Sequence, residues 1–153
     1  MKYFIVFQNQ TYEKELQGGY LWAPKIGNGG RTFAHWTNMT KVVKDDIIFS
    51  CCKRNIVSVN VAQNKCTDHM IPSELEEVQM WKKEGWMVPV KYHVLENPIA
   101  VDDHIDIIVE NCKQKHSPFN VSGRGNQGYL FEVNQTLGTY LLAEAARKNW
   151  LIT

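Results

Sequence analysis

The sequence lacks the long apolar runs that would place a chain in a membrane. Its first ten residues, MKYFIVFQNQ, carry an apolar run too short for a signal peptide, and no small-residue cleavage site follows it. No stretch reaches the roughly 20 apolar residues of a transmembrane helix. We therefore expect a cytoplasmic protein with no membrane partner.

The cysteines lack the spacing of a metal site. The four cysteines are Cys51, Cys52, Cys66 and Cys112; two are adjacent, and no Cys-x-x-Cys pair occurs. The pair spacing typical of structural zinc sites is therefore missing. This pattern predicts reduced, structural thiols, and we expect neither a metal nor a cofactor.

The sequence also has little excess charge of either sign. Lysine and arginine total 17 and aspartate and glutamate total 16, which gives a net charge of +1. This balance provides no global basic signal for nucleic acid, yet a protein that reads a single base needs only a local basic patch. With 153 residues, 44% hydrophobic and 22% charged, the chain is predicted to form one globular domain over residues 1–153.

The common catalytic motifs are absent as well. The sequence has no nucleophile elbow, P-loop, dinucleotide fingerprint or HExxH, and its only acidic–histidine concentration is Asp102, Asp103, His104 and Asp106. On a helix, Asp103 and Asp106 would share a face and suggest a divalent metal. An Asp-rich helix N-terminus explains the same residues by capping and the helix dipole. We predict no catalytic residues; the alternative is a small nucleotide-acting enzyme that uses this cluster.

One stretch is unusually rich in both glycine and aromatic residues. Residues 18–39, GGYLWAPKIGNGGRTFAHWTNM, carry Trp22 and Trp36 on either side of three glycines. They are predicted to form a loop, with a helical turn expected within residues 35–43. Loops are normally polar, so large aromatic side chains on a glycine-rich loop favour a surface that stacks on a flat ligand. The alternative is that the two tryptophans close the end of a β core.

Hydrophobic periodicity outlines an α+β domain. Strands are predicted at 3–8, 47–51, 56–62, 86–95 and 128–133, and residues 53–55 read as a hairpin turn. Helices are predicted at 72–84, at 101–115 and from 134 or 136 towards the C-terminus. We therefore expect a curled mixed β-sheet or small barrel of five to six strands with about three peripheral helices.

Four tracts carry a resemblance to known proteins, and they occur in the order FIVFQNQTYEKELQGGYLWAP, HWTNMTKVVKDDIIFS, VPVKYHVLENPI and PFNVSGRGNQGYLFEV. In order and spacing they resemble the PUA-like superfamily, especially its EVE and YTH branches. They are also similar to the recognition modules found with HNH nucleases in modification-dependent restriction systems. The resemblance implies a PUA-like fold over most of the chain.

The resemblance also implies a function, which is to hold one extruded, modified base in an aromatic pocket. Base flipping has a physical reason, because a base inside a duplex shows only its edges. Methylated DNA in bacterial defence is the expected context, with any cleavage performed by a fused or partner nuclease. The alternative partner is RNA with a methylated adenine, as in the YTH branch.

Candidate base-binding residues follow from the chemistry of a flipped base. Trp22 and Trp36 are predicted as aromatic walls that recover the lost stacking. The edge of the base requires side chains that both donate and accept hydrogen bonds. Residues of this kind flank the first and last predicted strands, and they are Gln8, Asn9, Gln10, Ser122, Asn126 and Gln127. The alternative role for these polar residues is ordinary turn capping.

Candidate phosphate contacts are basic residues on predicted loops, where lysine and arginine supply affinity rather than base reading. The best placed are Lys25, Arg31 and Arg124. Lys53 and Arg54, in the predicted hairpin turn, form a second cluster.

Overall fold

A seven-stranded mixed sheet carries the part of the chain that this computed structural model describes, which is residues 1–27, 29–76 and 84–150. The strands are β1 (Tyr3–Phe7), β2 (Tyr20–Pro24), β3 (Ile47–Cys52), β4 (Asn55–Ala62), β5 (Thr67–Met70), β6 (Glu84–Ala100) and β7 (Leu130–Val133). Their spatial order is β2-β6-β4-β3-β1-β7, and β5 pairs with β6. Only the β1–β3 pair is parallel among these strands.

The curl of the sheet comes from β6, which is 17 residues long. Its first part lies between β2 and β5, so that Met87 pairs with Trp22 on one side and with Thr67 on the other. From Val90 onward β6 pairs with β4 instead, beginning opposite Ala62. Because one strand serves both neighbours in turn, the sheet curls into a half-barrel.

In the described part of the chain four α-helices lie around the sheet, and the sequence explains where one of them ends and where another begins. The helices are α1 (Tyr12–Gly18), α2 (Ala34–Thr37), α3 (Ile105–Glu110) and α4 (Gln135–Asn149). Gly19 ends α1 with a left-handed φ of 73°, which glycine adopts readily. The Asn134 side chain caps α4 by accepting a hydrogen bond from the Leu137 amide. No helix in the described ranges has the length and apolar character needed to cross a membrane.

The hydrophobic core lies on both faces of β1. Tyr3 and Ile5 pack into one cluster with residues of α3 and α4, whereas Phe4 and Val6 pack into a second cluster inside the curl. Side chains of a strand alternate between faces, so a strand covered on both sides needs apolar residues at every position. This requirement explains the uninterrupted FIVF sequence.

The α+β class and the five predicted strands are confirmed, but residues 18–39 do not form a single loop. Tyr20–Pro24 is instead strand β2, with every residue buried. The strand forms there because it pairs with β6. Gly27, Gly29 and Gly30 lie in the connection that follows it. The helical turn expected within residues 35–43 is present as α2 (Ala34–Thr37) and a 3-10 turn at Asn38–Lys41.

Two helix predictions also need correction. The helix predicted at 101–115 is a 3-10 turn at Val101–His104 followed by the six-residue α3. It ends where the Asn111 side-chain amide donates to the Ile107 carbonyl at 2.8 Å, a bond that competes with helical pairing. Of the helix predicted at 72–84, only a 3-10 turn at Ser73–Leu75 is described, and residues 77–83 lie outside the described residues.

The close approach of β2 and β6 gives a stability prediction. A Cβ atom at Gly85 would lie 2.4 Å from the Ala23 carbonyl oxygen and 2.4 Å from the Trp22 ring. We expect Gly85→Ala to lower the free energy of unfolding by about 1–3 kcal/mol, because the backbone oxygen has to shift. Denaturant unfolding checks this, with Gly29→Ala as the matched control, since a Cβ there meets nothing within 4 Å. Equal losses in the two variants would contradict the tight strand contact.

Candidate nucleic-acid interface

A cleft of about 770 Å³ opens where β1 ends, beside β2, α2 and the residues that precede β7. This volume lies within the range of small-ligand sites. The cleft is lined by Phe7, Gln8, Asn9, Gln10, Thr11, Trp22, Pro24, Phe33, His35, Trp36, Gln127, Gly128 and Tyr129. None of these is lysine, arginine, aspartate or glutamate, so the lining carries no permanent charge.

Three aromatic rings form one wall of this cleft. The Phe33 ring stacks on the His35 ring with centroids 5.4 Å apart and an interplanar angle of 9°. Trp36 stands nearly perpendicular to Phe33, at 5.0 Å and 77°. Phe33 is 43% exposed whereas Trp36 is 4% exposed, so Phe33 offers the accessible ring surface.

The imidazole of His35 contributes to the neutral character of this wall. Its Nδ1 atom accepts a hydrogen bond from the Tyr129 backbone amide at 3.1 Å, which requires an unprotonated nitrogen. Burial lowers the pKa of His35, and the neighbouring His116 lowers it further. The ring is therefore uncharged at neutral pH.

A buried carboxylate lies behind the cleft and joins its parts. Glu15 Oε1 accepts hydrogen bonds from Gln8 Nε2 at 3.1 Å and from Thr11 Oγ1 at 2.6 Å. Its Oε2 accepts from the Trp22 amide at 2.8 Å and from the Tyr129 hydroxyl at 2.5 Å. All four donor residues line the cleft, so one carboxylate fixes the relative positions of its walls.

Burial raises the pKa of the Glu15 carboxyl to about 7, although its hydrogen bonds favour the charged form. Glu15 is 0% exposed, so desolvation of the charge outweighs those bonds. No local sequence pattern indicates this role, because YEKELQ has the composition of a solvated helix.

The two predicted aromatic walls are more deeply placed than expected. Trp22 is 0% exposed; it packs with Tyr20, Ile71 and Leu75, and its Nε1 donates to the His69 carbonyl at 3.0 Å. Its indole therefore lies under the cleft floor, in contact with the third core cluster. Trp36 belongs to the core cluster inside the curl and meets the cleft from behind Phe33.

The predicted base-edge residues separate into two groups. Asn9, Gln10 and Gln127 are exposed residues that line the cleft. Gln8 lines it but is 1% exposed, and its amide is committed to interior partners. Its Nε2 donates to Glu15 and Tyr92, and its Oε1 accepts from the Ser50 hydroxyl. Gln8 therefore meets the cleft from a buried position, with its amide held by interior partners.

The remaining predicted polar residues lie outside the cleft. Asn126 lines a neighbouring pocket, and its Nδ2 donates to the Ser117 carbonyl at 2.7 Å. Ser122 lies in the exposed turn between Asn120 and Arg124, where its backbone amide donates to the Asn120 side chain. For Ser122 the structure shows the turn role and not a cleft position.

The predicted phosphate contacts are likewise scattered. Lys25 pairs with Asp68 at 2.9 Å and lies 5.9 Å above the Trp86 ring, in a separate depression. Arg31 and Arg124 are exposed, and neither lines the cleft. The second cluster, Lys53 and Arg54, lines the pocket that adjoins the cleft.

The acidic cluster is not arranged for a metal. Asp102 Oδ1 accepts hydrogen bonds from two side-chain nitrogens of Arg54, at 2.6 and 3.1 Å. His104 Nδ1 lies 2.6 Å from the Tyr140 hydroxyl oxygen. Among residues 1–27, 29–76 and 84–150, no group of three or more His, Cys, Asp or Glu side chains could hold a metal ion.

The cysteines are free, and the buried ones are unreactive. Burial raises the pKa of the Cys51 thiol to about 12 and that of the Cys52 and Cys112 thiols to about 11. These thiols stay protonated at neutral pH, whereas a nucleophile must be a thiolate.

The Glu15 carboxyl predicts an unusual dependence of stability on pH. Its pKa is about 7 in the folded protein and about 4.5 in the unfolded chain, so the folded state binds the proton more tightly. The free energy of unfolding should therefore fall by about 3 kcal/mol between pH 4.5 and 7 on account of this group, and this contribution is constant outside that window. Denaturant unfolding at a series of pH values measures the slope.

Glu15→Gln should remove that slope, because the amide does not titrate. Glu13→Gln, an exposed position on the same helix, should keep it. Parallel pH profiles for wild type and Glu15→Gln would contradict the assignment.

No protein-family model and no curated protein matches this chain. Solved structures do match it. The YTH domain of Toxoplasma CPSF4, in its apo form, gives a TM-score of 0.63 at 12% identity, over 96% of this chain and 87% of that one. A Pseudomonas putida protein gives 0.60 at 10% identity, over 94% and 99% of the two chains.

A third solved structure is the YTH domain of the Zygosaccharomyces rouxii MRB1 protein in complex with N6-methyladenosine RNA. It gives a TM-score of 0.57 at 9% identity, over 94% of this chain and 86% of that one. Similarity at such low identity concerns the fold. The chain has the curled α+β fold of these YTH domains, and the predicted fold class is confirmed.

Proposed function

We propose that this protein binds nucleic acid and recognises a modified base that is flipped out of its strand into the cleft. The observation that carries the proposal is the uncharged cleft of about 770 Å³ with its aromatic wall of Phe33, His35 and Trp36. The likeness in fold to a YTH domain that was solved with N6-methyladenosine RNA supports it.

The lining of the cleft suits a nucleobase in two respects. A base is flat and neutral, and stacking on an aromatic ring contributes about 1–3 kcal/mol per base. Exposed amides at Asn9, Gln10 and Gln127 supply the donors and acceptors that a base edge requires. A methyl group adds only about 0.8 kcal/mol when buried, so selectivity depends on how closely the aromatic wall fits it.

We propose modified DNA as the partner, in a bacterial defence context where a fused or partner nuclease performs the cleavage. A methylated adenine in RNA is the second candidate, and the Zygosaccharomyces rouxii complex favours it. Both candidates place the same kind of ligand in the same cleft. We propose binding without catalysis, because the cleft lining carries no carboxylate and the Nδ1 atom of its one histidine already accepts a hydrogen bond from the Tyr129 amide.

Binding of short oligonucleotides tests the proposal. Matched DNA and RNA strands carrying 5-methylcytosine, 5-hydroxymethylcytosine, N6-methyladenine or no modification are compared by fluorescence at one fixed salt concentration. We expect one modified strand to bind at least about tenfold more tightly. Phe33→Ala should lower the affinity for that strand by about 5- to 100-fold, which is the equivalent of one stacking contact.

Phe33 is the sharper position for substitution because its ring is 43% exposed, whereas Trp36→Ala also removes core packing. Trp150→Ala serves as the matched control, since Trp150 is 48% exposed, directly follows α4 and lies outside the cleft lining. If all strands bind alike and Phe33→Ala behaves as wild type, the proposed function is wrong.

A further inference from the structure

A second pocket, of about 400 Å³, opens directly beside the cleft. We call it the side pocket. It shares four lining residues with the cleft, namely Phe7, Asn9, Gln127 and Gly128. The two cavities therefore have a common wall, and a ligand that fills one is adjacent to the other.

The two cavities differ in charge. The cleft lining holds no lysine or arginine, whereas the side pocket is lined by Lys53 and Arg54 and by no carboxylate. Arg54 is paired with Asp102 at 2.6 Å, which offsets much of its charge. Lys53 makes no ion pair with any described residue, so its ammonium is the uncompensated charge at the side pocket.

The side pocket's two cations occupy a turn whose backbone does not favour them. Lys53 and Arg54 form the two-residue connection between β3 and β4, because Cys52 pairs with Asn55. Their φ angles are 49° and 65°, in the left-handed region. Hairpin turns with this backbone favour Asn-Gly, so two long cationic residues break the local preference. Such departures from local preference concentrate at functional sites.

The turn is also tied to the wall between the cavities. The Lys53 backbone amide donates to Asn9 Oδ1 at 2.8 Å, and Asn9 lines both the cleft and the side pocket. The bond holds the turn against the cleft wall and so fixes the position of the Lys53 backbone relative to that wall.

We propose that the side pocket binds a backbone phosphate next to the flipped base, with Lys53 as its principal contact. This inference rests on the proposed function. A nucleotide joins a neutral flat base to an anionic phosphate. The neutral cleft suits the base, and the basic side pocket next to it suits the phosphate. The base then determines selectivity, and the phosphate adds affinity without sequence information.

The test uses Lys53→Asn, since asparagine tolerates a left-handed φ and removes the charge. Its melting temperature should equal or exceed that of wild type. The affinity for the preferred modified oligonucleotide should fall about three- to tenfold at low salt, and the slope of log K against log salt should decrease by about 1. The preference for modified over unmodified strand and the affinity for the free modified nucleoside, which has no phosphate, should not change.

Lys44→Asn is the matched control, because Lys44 is exposed and precedes the opposite end of β3. It removes the same charge and should leave the salt slope as in wild type. Lys53→Arg should retain most of the affinity. If Lys53→Asn and Lys44→Asn have equal slopes while the modified strand is still preferred, the side pocket proposal fails and the proposed function stands. If no strand is preferred by wild type, both fail.

Discussion

The buried carboxylate of Glu15 is the interaction on which the cleft depends. A desolvated charge is costly unless donors surround it, and here the donors come from the end of β1, the start of α1, β2 and the segment before β7. If any of these segments moves away, the carboxylate either becomes exposed to solvent or loses a hydrogen-bond donor. The arrangement that holds the cleft in shape therefore also lies at the centre of the polar interior, so site geometry and local stability are inseparable.

Much of the fold follows from the sequence alone, because it depends on periodicity. The FIVF run, the alternation in IVSVNVA and the apolar stripe of the last helix each have one dominant solution. Strand β2 has no such signal, since YLWAP is too short to show a period and becomes a strand only where β6 pairs with it. The glycines that follow it made the whole segment resemble a loop.

The site was less predictable, for a related reason. Continued past the end of β1, the alternation places Gln8 on the same face as Phe4 and Val6, inside the curl, which implies an inward side chain, whereas Asn9 lies in the exposed turn that follows. That signal was present in the sequence. The role of Glu15 has no such signal, because its hydrogen-bond donors are up to 114 residues away along the chain and no local pattern reveals them. Phe33 and His35 could have been suggested by their position beside Trp36, but their stacking requires the turn of α2.

The distance between the parts of the cleft along the chain has a kinetic consequence. Its lining begins at Phe7 and ends at Tyr129, and β1 pairs with both β3 and β7. Contacts of such high sequence separation form slowly, because the entropy of closing a long loop is lost before the contacts contribute favourable free energy. A nascent chain therefore cannot assemble the cleft until Tyr129 has left the ribosome. Premature engagement of a ligand by a partly synthesised chain is thereby prevented by topology alone.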